Sequence, residues 1–148
     1  MKIQSLTDLK VLSLPILEKI PYLKMLVLFG SRARGDNHAK SDWDFAALYD
    51  EEIQKEHIKD NAWAWFELPR LLGEYLGIPD NQVDVVELNK TSFLIAHFVA
   101  RDGKLLYEKE SGEFERFQQQ YLKGDREMQE VRKALRAKIE AHLQRWGV

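Results

Sequence analysis

The succession of apolar segments in this chain predicts an α/β fold in the broader α+β sense, a small mixed β-sheet flanked by helices. Three observations carry that expectation. Helix-spaced leucines and strand-like apolar runs follow one another as helix, strand, strand, helix, strand, helix. The first two strands are joined by a loop too short for a crossover, so part of the sheet is antiparallel. And 148 residues, 45% hydrophobic and 31% charged, suffice for one core and not comfortably for two, so a single domain is expected over 1–148.

Taken in order, residues 5 to 20 carry Leu6, Leu9, Leu12 or Leu14, and Leu17 at helical spacing, with Pro15 and Pro21 as punctuation. "KMLVLF" (24–29) reads as a short buried strand and "SDWDFAALY" (41–49) as a second, with the loop "GSRARGDNHAK" between them. Residues 52 to 76 read as one helix whose broad apolar face takes in Ile53, His57, Ile58, Trp63, Trp65, Phe66, Leu71 and Leu72. "LGIPDNQ" is a turn, "VDVVEL" (83–88) a third strand, and "TSFLIAHFVARDG" a helix closed by a glycine after Asp102. "KLLYE" (104–108) fits a fourth, short strand, and a helical segment from about 113 to 146 breaks near Gly124.

Composition narrows the function classes. The net charge of −2 gives no general attraction to nucleic-acid backbones. The absence of cysteine excludes disulfides, thiolate metal sites and a cysteine nucleophile together. "MKIQSLTDLK" lacks the apolar core of a signal peptide, and "MLVLF" and "FLIAHFVA" are far short of a membrane span, so a cytoplasmic protein is expected. From Arg116 onward eight basic residues face four acidic ones; this segment is net +4, which leaves −6 for the rest.

The chemistry concentrates in residues 30 to 44. In a strand, residues two apart share a face, so Asp42 and Asp44 point the same way about 7 Å apart, while Trp43 and Phe45 face the core. Two carboxylates so close repel, and a cation between them removes the cost. Oxygen ligands with no His or Cys nearby suit Mg²⁺, which binds together with phosphate-bearing substrates. Asp-x-Asp alone is more simply read as an outward strand edge that happens to be acidic. Upstream, Gly30 lets the backbone approach a ligand, Ser31 and the turn after it offer donors to phosphate oxygens, and Arg32, Arg34 and Lys40 add positive charge to the same loop. There is no Gly-Lys-Ser/Thr of the Walker type and no dinucleotide fingerprint.

"GSRARGDNHAKSDWD" resembles the signature of the nucleotidyltransferases of the DNA polymerase β superfamily: Gly-Ser, ten residues, then Asp-x-Asp. In a chain of this length the likeness is to the minimal nucleotidyltransferases, often antitoxins paired with a HEPN-domain toxin. The motif spans 15 residues, and the order of elements resembles the family over 5 to 108. The resemblance implies a third carboxylate on a neighbouring strand. Asp84 is the best candidate, because it shares a face with Val86 and Leu88 whereas Glu87 falls opposite, Asp80 lies in a turn and Asp50 ends its strand. An acid near solvent at a strand start is the alternative reading. The resemblance further implies two Mg²⁺ ions bridged by Asp42 and Asp44, with Asp84 on the ion beside the acceptor hydroxyl. Ser31, its neighbouring backbone and Arg34 would hold the β- and γ-phosphates of ATP. The activity implied is transfer of AMP to a hydroxyl of a cognate toxin; transfer to a small hydroxyl compound, or neutralisation by binding alone, stay open.

Other residues have plainer readings. "FGSRA" lacks the second glycine of a hydrolase elbow. His38 fits a solvated loop, His97 a packed core position, and Trp63 and Trp65 ordinary packing. Met128, Val131, Leu135, Ile139, His142, Leu143 and Trp146 form an apolar stripe at helical spacing, which fits either the domain's own core or a partner.

Overall fold

The computed structural model describes residues 5–59, 61 and 63–145. Helix α1 (Leu6–Lys19) opens at Ser5, whose hydroxyl accepts from the Asp8 amide at 3.2 Å, a favourable N-cap. Pro15 lies inside α1 rather than at its end, on the solvent side. Leu12 packs on the core while Leu14 is exposed, which decides between the two.

Strand β1 (Leu23–Phe29) passes through a four-residue helical turn, α2 (Ser31–Arg34), and an extended loop into β2 (Trp43–Tyr49). The two strands are antiparallel, as the short connection requires, with Phe29 opposite Asp44 and Leu26 opposite Ala47. β3 (Val83–Glu87) joins β2 in parallel, and β4 (Lys104–Glu108) joins β1 antiparallel, giving the order β3-β2-β1-β4.

Alternation along the strands divides the core. Leu26, Leu28, Phe45 and Ala47 face α1 and α4 (Glu67–Leu76), meeting Leu9, Ile16, Leu71 and Leu72. Met25, Val27 and Ala46 face α5 (Phe93–Asp102) and α6 (Glu113–Tyr121), meeting Ala96, Val99, Ala100 and Phe117. Phe45 is fully buried, and truncating such a ring costs about 3–5 kcal/mol.

The single helix expected over 52–76 is divided. α3 (Glu51–Ile58) buries nothing; a 3₁₀ turn (Ala64–Phe66) follows and buries Ala64, and α4 contributes Leu68, Leu71, Leu72 and Leu76 to the core. Asn61 accounts for the break: its side chain accepts from the Trp63 amide at 3.1 Å and its carbonyl from the Ala64 amide, a local turn that competes with helix. Trp63 and Trp65 are thereby left 71% and 67% exposed, packed at the surface against Phe66.

The C-terminal segment breaks as expected, with α6 ending at Tyr121 and α7 (Asp125–Arg145) beginning after Gly124. Met128 is the buried residue of α7, whereas Leu135, Ile139 and Leu143 are exposed. Trp146 lies outside the described residues. No helix among them is long and apolar enough to cross a membrane.

Candidate active site

The site lies where β1 ends and β2 begins, on the sheet face that carries α5. Gly30 leaves β1 with φ 75° and ψ −158°, a conformation open essentially to glycine. A Cβ there would fall on the Asp44 carboxylate Oδ2. The glycine thus serves two ends: it turns the chain into α2 and lets the backbone lie flat against an aspartate. Ala33 and Arg34 amides return to the Gly30 carbonyl and the Gly35 amide to Ser31, closing the turn that Ser31 begins.

Asp44 and Asp84 are paired in the β2–β3 register and so stand side by side on one face. Asp42 precedes β2 and is exposed. Burial first, then the charges of Asp84 and Asp42, push the Asp44 carboxyl above the usual carboxylate range, and Arg34 alone pulls it down. Among the described residues, no hydrogen bond or ion pair reaches the side chains of Asp42, Asp44 or Asp84. Nor do any three potential ligand side chains stand close enough to enclose an ion by themselves. The donors nonetheless fit Mg²⁺, which takes one or two carboxylates and completes its shell with water and phosphate oxygens.

The basic residues of the loop part company. Arg34 donates through Nε to Asp36 at 3.1 Å and lies 3.6 Å from Asp102 at the end of α5, while remaining close enough to Asp44 to lower its pKa. The Asp36 pairing lies at the surface and is readily exchanged for a polyanion, whereas the Asp102 carboxylate is largely buried. Arg32 is committed elsewhere. Its Nε and Nη2 donate to the Ser41 carbonyl at 3.1 and 2.8 Å, and its guanidinium lies 4.2 Å over the Trp43 ring. That geometry ties the 30–41 loop together through Arg32. Lys40 is exposed on the same loop, its amide donating to His38 Nδ1. His97 is 4% exposed and accepts from the Lys123 amide, the packed histidine expected.

Asp102 escaped the sequence reading. Arg101 chiefly, with Arg34, holds its carboxyl below the usual range, so the end of α5 helps to position Arg34. No local spacing links residues 34 and 102.

Comparison with known proteins decides the family. The pattern described as "Polymerase beta, Nucleotidyltransferase" matches residues 14–112. The chain belongs to that nucleotidyltransferase family. Over 99% of its length, and 98% of the relative's, it is 54% identical to "Protein adenylyltransferase MntA" of Aphanizomenon flos-aquae. Among solved structures, one chain of a toxin–antitoxin with AMP-PNP shares 26% identity at a TM-score of 0.61, covering 91% of this nucleotidyltransferase and 98% of that chain. A tri-AMPylated Shewanella oneidensis HEPN toxin in complex with MNT antitoxin gives a TM-score of 0.58 at 24% identity, covering 95% and 99%; that likeness speaks for the fold. The mixed sheet and flanking helices are the nucleotidyltransferase fold expected of the motif.

Proposed function

We propose that this nucleotidyltransferase moves AMP from ATP onto a hydroxyl of a cognate HEPN toxin and thereby acts as its antitoxin. The observation that carries the reading is the alignment of Gly30–Ser31, Asp44 and Asp84 at the ends of three neighbouring strands. The 54% identity to a protein adenylyltransferase over nearly the whole chain supports a protein acceptor.

In this reading the residues divide the work. Ser31, with its own amide and that of Arg32, binds the β- and γ-phosphates, and Arg34 exchanges Asp36 for them. Lys40 adds positive charge at the mouth of the loop. Asp42 and Asp44, with Asp84 beside them, are the residues that would hold Mg²⁺. When bound, Mg²⁺ neutralises the triphosphate and makes the acceptor hydroxyl easier to deprotonate. Asp84 Oδ receives the hydroxyl proton as the acceptor oxygen bonds to the α-phosphorus. The bond from that phosphorus to the bridging oxygen breaks, and pyrophosphate leaves. Position and charge neutralisation supply the rate, without a covalent enzyme intermediate. Action in the cytoplasm, where ATP is available, is part of this reading.

Intact mass of the toxin, incubated with this protein, tests the reading. The toxin is expected to gain adenylyl units only when ATP and Mg²⁺ are both present. A toxin neutralised at unchanged mass would replace transfer by binding alone.

A further inference from the structure

The strand order also gives the site a direction. Gly30–Ser31, Asp44 and Asp84 succeed one another from β1 through β2 to β3. With the phosphate-holding turn at the β1 side, the acceptor approaches from the β3 side, and β3 is a sheet edge.

That edge is open. The Leu88 amide donates to Ala47 across the β2 side at 2.8 Å, so strand alternation turns the backbone groups of Val83, Val85 and Glu87 outward. The Val83 amide is taken by the Asp80 carbonyl, and the Glu87 carbonyl by the Lys90 amide. Both polar backbone groups of Val85 and the amide of Glu87 have no outward partner among the described residues. Edges are ordinarily blunted by charge or cover. The opposite edge, β4, begins with exposed Lys104 and is flanked by α1 and α6, while β3 carries Asp84 and Glu87 and is flanked by α4. β3 also borders a groove of about 580 Å³, backed by Tyr22 and Tyr49 and walled by Trp65 and Phe66, the latter pair 67% and 44% exposed. Val83 and Val85 line it from the strand; Asp84 borders it too, while its side chain belongs to the opposite face.

We infer that this edge is the acceptor site: a hydroxyl-bearing segment of the toxin adds to β3 as a fifth strand. An added strand lies about 4.8 Å away with side chains alternating between faces. One side chain therefore drops into the aromatic groove and its immediate neighbour presents a hydroxyl beside Asp84. Main-chain hydrogen bonds supply general affinity, and the groove selects the sequence, as in other strand-addition modes. The inference rests on the adenylyl-transfer reading and specifies its acceptor side.

Hydrogen exchange on the wild-type protein, alone and with the toxin, is the direct test. Residues 83–88 are expected to lose their fast-exchanging amides only in the complex. In steady-state assays, Val85→Pro removes an outward donor at a position where edge strands tolerate proline, and should raise KM for the toxin about three- to tenfold with KM for ATP unchanged. Trp65→Ala, on an exposed side chain, should do the same should the proline variant fail to fold. Asp42→Asn serves as the control. If it keeps full transfer, the adenylyl-transfer reading itself fails. If it is inactive while 83–88 exchange freely in the complex and Trp65→Ala keeps wild-type KM for the toxin, the edge proposal alone is overturned. Protection that rises with protein concentration without toxin would overturn it in favour of pairing between copies of this chain.

Discussion

Burial, Asp84 and Asp42 all drive Asp44 toward its protonated form, and only Arg34 opposes them. A carboxyl raised in the fold stabilises below its unfolded pKa, and that contribution disappears as pH rises through the raised value. Metal-free protein at neutral pH therefore carries an uncompensated repulsion. Asp44→Asn should leave Tm level or higher without metal, abolish adenylyl transfer, and remove most of the Tm gain that Mg²⁺ and ATP give the wild type. Asp42→Asn should behave alike with a smaller effect on Tm, since Asp42 is exposed. Calorimetric scans with and without Mg²⁺ and ATP check both. Gly30→Ala should cost about 1–3 kcal/mol in urea unfolding, because it forces a side chain into a positive-φ conformation, and should also abolish transfer by pushing Asp44 aside. Wild-type activity in the alanine variant would show that the close approach is incidental. These aspartates were legible because spacing alone puts them on one face. The hold of Arg32 on the Ser41 carbonyl was not legible: it exists only once the loop has folded back on itself, which residue type does not disclose.

At the scale of elements, the sheet could be read because apolar runs and short connections dictate its pairing, including the antiparallel β1–β2 step. The stretch from 52 to 76 could not, because the apolar count suggested one face while Asn61 offered the backbone a competing turn. α7 resolves another ambiguity. Its stripe touches the domain at Met128, 5% exposed, and then leaves Leu135, Ile139 and Leu143 41%, 59% and 42% exposed. The antitoxin reading provides an occupant, since a small transferase needs surface beyond its cleft to select one hydroxyl. Removing residues 130 onward, which spares Met128, should leave ATP affinity and the fold intact and raise KM for the toxin. Circular dichroism and steady-state kinetics check this. Unfolding on truncation, or an unchanged KM, would return the stripe to the domain's own stability.

Across the whole molecule, charge is divided as the chemistry requires. The segment from Arg116 is net +4 and the remainder −6, while Arg32, Arg34 and Lys40 set positive charge in the loop beside the carboxylates. The same acidity disfavours a nucleic-acid acceptor and leaves protein docking to the β3 edge and α7. The central claim is that the α-phosphorus of ATP, and no other part of the triphosphate, ends on the toxin. ATP labelled at the α-phosphate and ATP labelled at the γ-phosphate, each incubated with toxin, Mg²⁺ and this protein, separate the possibilities in one experiment. Toxin labelled from the α position alone is expected, with pyrophosphate released and no label transferred by Asp42→Asn. Label from the γ position, or from neither, would contradict it.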